Sequence, residues 1–318
     1  MRKASAIIIF PFVADIDVIG HKNAKWLSKG IIKTIPRRYE LISYVLSYLG
    51  IDPLEHGCGF FRYFGQGMNT DSWIAAADPI FLQARMRDIV VHNIPVMDVT
   101  ANELKTLFDF LQEHLGKDNE LVFEVVGNSG YIKSKKSMQT PKLSANHFNG
   151  SVLPKYRIED EMDNALQQLQ TEIQMLLHEH EINVHRENLG KMPINSLWIW
   201  GGGIQNRRVQ FDLPTLYAKD ELFTGLWDFS KASVRPWPRE IKEFFKQGES
   251  DFVAVMPAGT SKTVEYHLDR FREQLFYGDC KNLILIFSNY VIFEVKKTDF
   301  FKFWKPISRL IYKEINNA

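Results

Sequence analysis

Apolar positions along the chain follow two rhythms, and the change between them divides it. Residues 6–10 (AIIIF) are continuously apolar, as expected of a parallel strand covered on both faces. The final third has the same texture. Its pattern predicts a strand at 252–256, a helix at 264–276, strands at 283–287 and 291–295, and a helix at 300–315, an order that contains a βαβ unit. Both chain ends are therefore expected to build one sheet, with the middle inserted.

The middle is more mixed. A helix is predicted over 37–49, with Leu41, Ile42, Val45, Leu46 and Leu49 on one face and Gly50 as its cap. Glycine and aromatic density over 54–70 predicts irregular packed structure or a bent hairpin. Residues 73–82 look like two strand pieces broken at Asp78-Pro79, with a further strand at 88–92. Thr100-Ala-Asn-Glu103 is a capping box before a helix at 104–115, in which Leu104, Leu107, Phe108 and Leu111 share a face. Residues 121–126 and 130–133 are placed as a hairpin, and the polar, basic stretch 134–154 as a surface connection or mobile loop. A long helix from Glu159 carries Ile173, Leu176, Leu177, Ile182 and Val184 until Gly190 stops it. A buried strand, Asn195-Ser-Leu-Trp-Ile-Trp200, then runs into Gly201, Gly202 and Gly203, where backbone must turn sharply or approach something closely. Residues 211–233 show no clean periodicity, and a helix is predicted over 239–246.

Composition narrows the classes. The 318 residues allow one large α/β domain with an insertion or two separate domains, and 45% apolar content supports a sizeable core. A formal charge of +1, from 39 basic and 38 acidic residues, argues against a general attraction to nucleic acid or membrane. Two cysteines and no signal-peptide pattern point to a reducing cytoplasm.

Motif chemistry is sparse. His178, His180 and His185 crowd one helix end, without the four-residue spacing and intervening Glu of zinc proteases. Solvated helix-end histidines are the plainer reading. The glycine triplet lacks the Lys-Ser/Thr of a phosphate loop, and Ala258-Gly-Thr-Ser-Lys-Thr263 lacks the first glycine. Cys58 has no neighbour that marks it as activated. Arg186 with Asn183 and Asn195 offers a guanidinium and two amides, suitable donors for a carboxylate or phosphate. The competing reading pairs Arg186 with an acidic helix neighbour and makes the asparagines caps.

Glu172-Ile-Gln-Met-Leu-Leu-His178, Asn183, Arg186-Glu187, Gly190, Pro193 and the run from Asn195 to Gly203, with Trp73 and Ala77-Asp78-Pro79 upstream, resemble the RpfE-type regulatory proteins of proteobacteria. More remotely they resemble archaeal-type cofactor-independent phosphoglycerate mutases of the alkaline phosphatase superfamily. The close resemblance covers about residues 73–203. It implies an alkaline-phosphatase-like, mostly parallel α/β sheet formed by residues 1–70 and 205–318, with an inserted α+β substrate-side domain over 71–204. It also implies two divalent metals held by Asp and His around a Ser or Thr nucleophile at the strand ends. At those ends this sequence has Phe10-Pro11-Phe12, Pro257-Ala258-Gly259 and Ser288-Asn289-Tyr290, and Leu82 stands near the place of an arginine. Asp15, Asp17, His21, His267 and Asp269 are the available displaced ligands.

The expectation is a metal-free and cofactor-free, catalytically degenerate mutase-like protein acting as a cytoplasmic regulatory or binding module. Asp78, Asn183, Arg186, Asn195, Trp200, Gly201, Gly202 and Gly203 would line a residual pocket for a small anion, phosphate or carboxylate. A protein partner is the other expected ligand; nucleic acid and membrane are not expected. The rival readings are an active phosphomutase or phosphatase with rearranged ligands, and a structural partner-binding protein, for which the aromatic runs 60–64 and 300–304 speak.

Overall fold

The run AIIIF forms strand β1 (Ala6–Phe10), buried along its whole length. The computed structural model describes residues 6–11, 19–36, 38–52, 57–94, 98–116, 120–152, 162–204, 211–245, 251–257, 261–278 and 280–308. The chain divides into two units. One comprises Met1–Arg37, Gln210–Asp220 and Ser230–Ala318, and the other Arg38–Val209 and Glu221–Phe229. Residues 38–70, expected with the chain-end sheet, thus belong to the second unit.

In the first unit, β1 lies parallel between β11 (Phe252–Val255) and β12 (Asn282–Phe287). The sheet runs β10 (Val234–Arg235), β9 (Thr215–Tyr217), β11, β1, β12, β13 (Val291–Lys296), β2 (Ile31–Thr34). The first five strands are parallel, while β13 returns antiparallel on β12 and β2 pairs antiparallel with β13. This is the expected α/β, mostly parallel sheet built from both chain ends. Helices α1 (Gly20–Leu27) and α8 (Ser261–Tyr277) contribute Trp26, Leu27, Leu268, Phe271 and Leu275 to a core with Phe10, Phe287 and Phe293.

The helix predicted over 300–315 is not found in its described part. Lys297–Phe301 form a single 3-10 turn, opened by a hydrogen bond from the Lys296 N–H to Asp299 Oδ2 (2.8 Å), and residues 302–308 are irregular. Pro306 lacks an N–H donor and disfavours helical dihedrals at the residue before it. Residues 309–315 lie outside the described set.

The second unit is organised on β3 (Trp73–Ala84), a single twelve-residue strand that passes through Asp78-Pro79. Its partners explain why the proline is tolerated. β6 (Ser129–Ser134) pairs with residues 73–76, β4 (Ile89–Asn93) with 80–84, and β8 (Ser196–Gly203) with 74–80. β8 shares paired residues with both of the others, so β6 and β4 lie on the opposite side of β3 from β8. Pro79 falls in the gap between them, where its missing N–H breaks no ladder. β5 (Leu121–Val126) hairpins onto β6, as predicted, and β7 (Ser151–Val152) completes the sheet beside β4.

One sheet face, with Trp73, Ala75, Ala77, Leu197 and Ile199, is covered by α4 (Ala101–Leu115) and α5 (Asn164–His178). The Thr100–Glu103 capping box is formed as predicted. On the opposite face, residues 58–65 form α3 (Cys58–Gly65) rather than a hairpin, and α7 (Glu221–Phe229) crosses it. Their glycines serve contact. A Cβ on Gly225 would overlap the Phe61 carbonyl and lie 2.8 Å from Gly65 N; one on Gly59 would lie 2.6 Å from Ala76 N.

The long helix predicted through Val184 is broken. α5 ends at His178 and α6 (Glu181–Asn188) begins anew, with His180 Nδ1 accepting the Ile182 N–H at 3.2 Å. Val184 faces solvent, and Gly190 at φ 70° closes the end as expected. Burial holds the His180 pKa below its ordinary 6.5 against the opposing pull of the Glu181 charge, and protonation would also turn the Nδ1 acceptor into a donor. The unfolded chain therefore takes up the proton first, so this contribution is complete above pH 6.5 and lost as pH falls through the depressed folded value. The urea midpoint should decline below pH 6.5 by the worth of one cap, about 1 kcal/mol. In His180→Asn, which caps without titrating, that decline should flatten; an unchanged pH profile would remove His180 as its source.

Candidate functional site

Three polar constellations decide where chemistry is available. The first is the carboxyl edge of the parallel strands in the first unit. β1 ends in Phe10-Pro11, with Phe10 stacked on Phe287 at 4.8 Å. β11 ends in Met256-Pro257, and the Met256 N–H donates to Ile9 O (2.9 Å). β12 turns through Ser288-Asn289-Tyr290 into β13, with the Ser288 N–H on Phe10 O (3.1 Å) and Tyr290 at φ 65°. Phenylalanine, proline, methionine, one hydroxyl and one amide do not fit a pair of divalent cations, which require several carboxylates or imidazoles. Among the described residues, no group of three or more His, Cys, Asp or Glu is placed to hold a metal ion.

The displaced candidates have other surroundings. His21 is exposed on α1, and His267 packs against Trp237 (ring centroids 5.4 Å), where burial lowers its pKa. Asp269 pairs with Arg272 (2.8 Å), whose guanidinium also donates to Asn23 Oδ1 (3.0 Å). Asp15 and Asp17 lie outside the described residues.

The second constellation, in the second unit, centres on Arg62 of α3. Its Nη1 meets Asp78 Oδ1 at 2.8 Å, its Nε donates to Tyr131 Oη at 3.1 Å, and its Nη2 to Gly130 O at 3.1 Å. Asp78 Oδ2 accepts the Trp200 Nε1–H at 2.6 Å, and the guanidinium lies over the rings of Tyr131 and Trp200. Tyr131 Oη donates to Gln66 Oε1 (2.8 Å); beyond it, Lys133 pairs with Glu124 (2.5 Å), which also accepts from Tyr63 Oη. Burial works against the Arg62 charge, but Asp78 and Tyr131 hold its proton more firmly than usual. Burial also pushes the Tyr131 phenol up to about 12. Of the expected site residues, this places Asp78 and Trp200 together. Arg62 and Tyr131 were missed, although a lone arginine inside the aromatic run Phe60-Phe61-Arg62-Tyr63-Phe64 signals a buried charge that needs a carboxylate.

The third constellation, in the second unit, holds Arg186. Only 1% of its side chain is exposed; Nη1 pairs with Glu103 Oε1 (3.0 Å) and donates to Asp98 O (3.1 Å), while Nε donates to Met192 O (2.8 Å). Glu103 sits below its ordinary pKa: burial opposes this, but Thr100 and Arg186 together outweigh it. Asn183 bridges Leu177 O and Ile194 O through Nδ2 and accepts the Ile194 N–H. Asn195 pairs reciprocally with Leu82 N and O, tying β8 to β3. Arg186, Asn183 and Asn195, expected to line an anion pocket, thus bond to backbone groups and, through Arg186, to Glu103.

Gly201, Gly202 and Gly203 end strand β8. β8 carries an extra residue between its pairings with Ala76 and Ile74, and Gly201 takes φ 63° there, as bulges favour. A Cβ on Gly201 would lie 2.8 Å from Gly59 N, and one on Gly202 would overlap the Trp73 indole. The Gly201 N–H donates to Pro141 O and the Gly202 N–H to Thr140 Oγ1, both at 2.8 Å. Residues 140–147, expected in a surface connection or mobile loop, are thus bonded to β8. Further pins are Trp198 Nε1 on Leu143 O (2.8 Å) and Glu40 Oε1, which accepts the Ser144 N–H (2.6 Å) and contacts His147 (3.0 Å). Cys58 is buried beside this region, where desolvation, then the Glu40 charge, raises its thiol pKa well above the ordinary value. It is no activated nucleophile.

No protein-family model matches the chain. The 2,3-bisphosphoglycerate-independent phosphoglycerate mutase of Methanosarcina mazei is 23% identical over 197 residues, 60% of this chain and 48% of that protein. The 2,3-bisphosphoglycerate-independent phosphoglycerate mutase 2 of Methanothermobacter thermautotrophicus is 23% identical over 188 residues, 55% of this chain and 44% of its own length. The chain thus matches about half the length of these relatives. Two solved structures are similar at 15% identity: a cofactor-independent phosphoglycerate mutase from Thermoplasma acidophilum (TM-score 0.44, 93% of this chain and 90% of that one) and a protein of Pyrococcus horikoshii (TM-score 0.49, 93% and 87%). The chain is a distant homologue of archaeal cofactor-independent phosphoglycerate mutases.

Proposed function

We propose that this mutase-related chain is a regulatory or ligand-binding module that does not transfer phosphoryl groups, in keeping with its resemblance to RpfE-type regulators. The observation that supports this is the set of residues at the carboxyl ends of β1, β11 and β12: Phe10-Pro11, Met256-Pro257 and Ser288-Asn289. In-line phosphoryl displacement needs charge neutralisation of both the attacking and the leaving oxygen, and these side chains provide none. The arginines described above are all neutralised by carboxylates, Arg62 by Asp78, Arg186 by Glu103 and Arg272 by Asp269, which favours a protein partner over a small anion as the ligand. The opposing reading is an active phosphomutase with rearranged ligands. It rests on the Ser288 hydroxyl at the end of β12 and on the relatives being named as enzymes.

The deciding measurement is interconversion of 2- and 3-phosphoglycerate by the purified chain in the presence of Mn²⁺, Co²⁺, Zn²⁺ or Mg²⁺. No turnover above the protein-free rate is expected with any of them. Turnover that disappears in Ser288→Ala, or crystals soaked in Mn²⁺ showing two ions within about 4 Å of each other, would establish the enzyme instead.

A further inference from the structure

A near-neutral whole chain conceals a segment of different character. Residues 296–305 read KKTDFFKFWK, four lysines against one aspartate, interleaved with aromatic residues. Phe301, Phe303 and Trp304 are 70%, 82% and 70% exposed, in a unit whose other large aromatics are mainly buried. The segment is nonetheless fixed in place. Lys29 Nζ donates to Phe300 O (3.1 Å), the Ser308 N–H to Ser28 Oγ (2.9 Å), and Lys305 Nζ to Gly30 O. Phe300 packs between Trp26 and Phe276. Bulky apolar groups held outward on an ordered turn lose little further freedom when they are covered.

We infer that the turn from Phe301 to Lys305 docks on an anionic lipid bilayer, inserting Phe301, Phe303 and Trp304 at the headgroup boundary while the positive charge of Lys296, Lys297 and Lys305, the lysines not paired with a carboxylate of this segment, attracts lipid phosphates. Charge complementarity identifies the occupant. Lysine is depleted from protein–protein interfaces, whereas lysine next to Trp and Phe is the composition of interfacial membrane anchors. Each lysine near an anionic surface adds attraction that salt screens, and each aromatic adds apolar burial that salt leaves intact. Asp299, the acidic residue of this segment, is buried and paired with Lys302 (2.6 Å), and Glu294 on the adjacent strand is paired with Lys33 (2.5 Å), so neither opposes the approach. This departs from the absence of membrane binding expected from net charge, because +1 averages over both units.

The test is co-sedimentation of the full chain with phosphatidylcholine vesicles, with and without phosphatidylserine. Binding is expected with phosphatidylserine and should weaken as salt rises. Phe303→Ser/Trp304→Ser should bind at least about tenfold more weakly with an unchanged urea midpoint, and Lys296→Glu/Lys297→Glu should lose the salt-sensitive part. Wild-type protein that stays in the supernatant with both vesicle types overturns the inference. So does a double aromatic variant that binds like wild type, or a self-association abolished by Phe303→Ser/Trp304→Ser without lipid binding.

Discussion

Replacing Arg186 with alanine is expected to lower stability by about 3–5 kcal/mol, the range for removing one partner of a buried ion pair. The guanidinium joins four elements of the second unit: its own helix α6, Glu103 of α4, the Asp98 carbonyl and the Met192 carbonyl. Its removal leaves a partly buried carboxylate without its counter-charge and two carbonyls without donors, and an unmet buried acceptor costs more than the bond it made was worth. Arg186→Lys should restore less than half, because one ammonium cannot span acceptors arranged around a planar fork. The measurement is a urea midpoint at constant m-value, with binding of inorganic phosphate measured in parallel. A small stability loss accompanied by loss of phosphate binding would return Arg186 to the role of anion receptor.

The second large effect is expected at Gly225. α3 and α7 cross with Gly65 against Gly225, and an added methyl meets helical backbone rather than a flexible side chain. Rigid backbone on both sides leaves only separation of the helices, which would also disturb the contacts of Phe229 with Phe60, Phe61 and Phe64. Gly225→Ala should therefore cost about 3 kcal/mol or more, the upper end for overpacking. Gly150→Ala is the control. It has a left-handed φ of 70° but open space around it, so only the backbone term of about 1–2 kcal/mol applies. Equal losses at the two sites would show that the helix crossing adjusts freely.

These two positions illustrate what the sequence conveyed. Elements with strong local signals were legible: the continuous apolar strands β1, β11 and β12, the Thr100–Glu103 box, and the buried, β-prone strand β8. Elements whose form depends on a distant partner were not. Residues 58–65 carry two glycines that suggest a turn, yet they form a helix because Ala76 and Gly225 require close backbone approach. Asp78-Pro79 suggests a break, but the donor lost at Pro79 faces a gap whose position is set by β6 and β4. The same distinction holds for the candidate site. Residue types suited to anion binding were visible at Asn183, Arg186 and Asn195, but whether a polar side chain is free is decided by its three-dimensional neighbours. Those neighbours are Glu103, Ile194 and Leu82, up to 113 positions away in sequence.

The two buried cysteines acquire a use from the division of the chain. Cys58 belongs to one unit and Cys280 to the other; both are buried, and desolvation pushes the Cys280 thiol up to about 12. Neither presents a reactive thiolate while its surroundings are closed. Each is therefore a native clock for the opening of its own unit. Mass-resolved alkylation in the native state separates the local opening free energies of the two units without any introduced label. Through the same pair, Gly225→Ala would be seen to accelerate labelling at Cys58 before it affects Cys280.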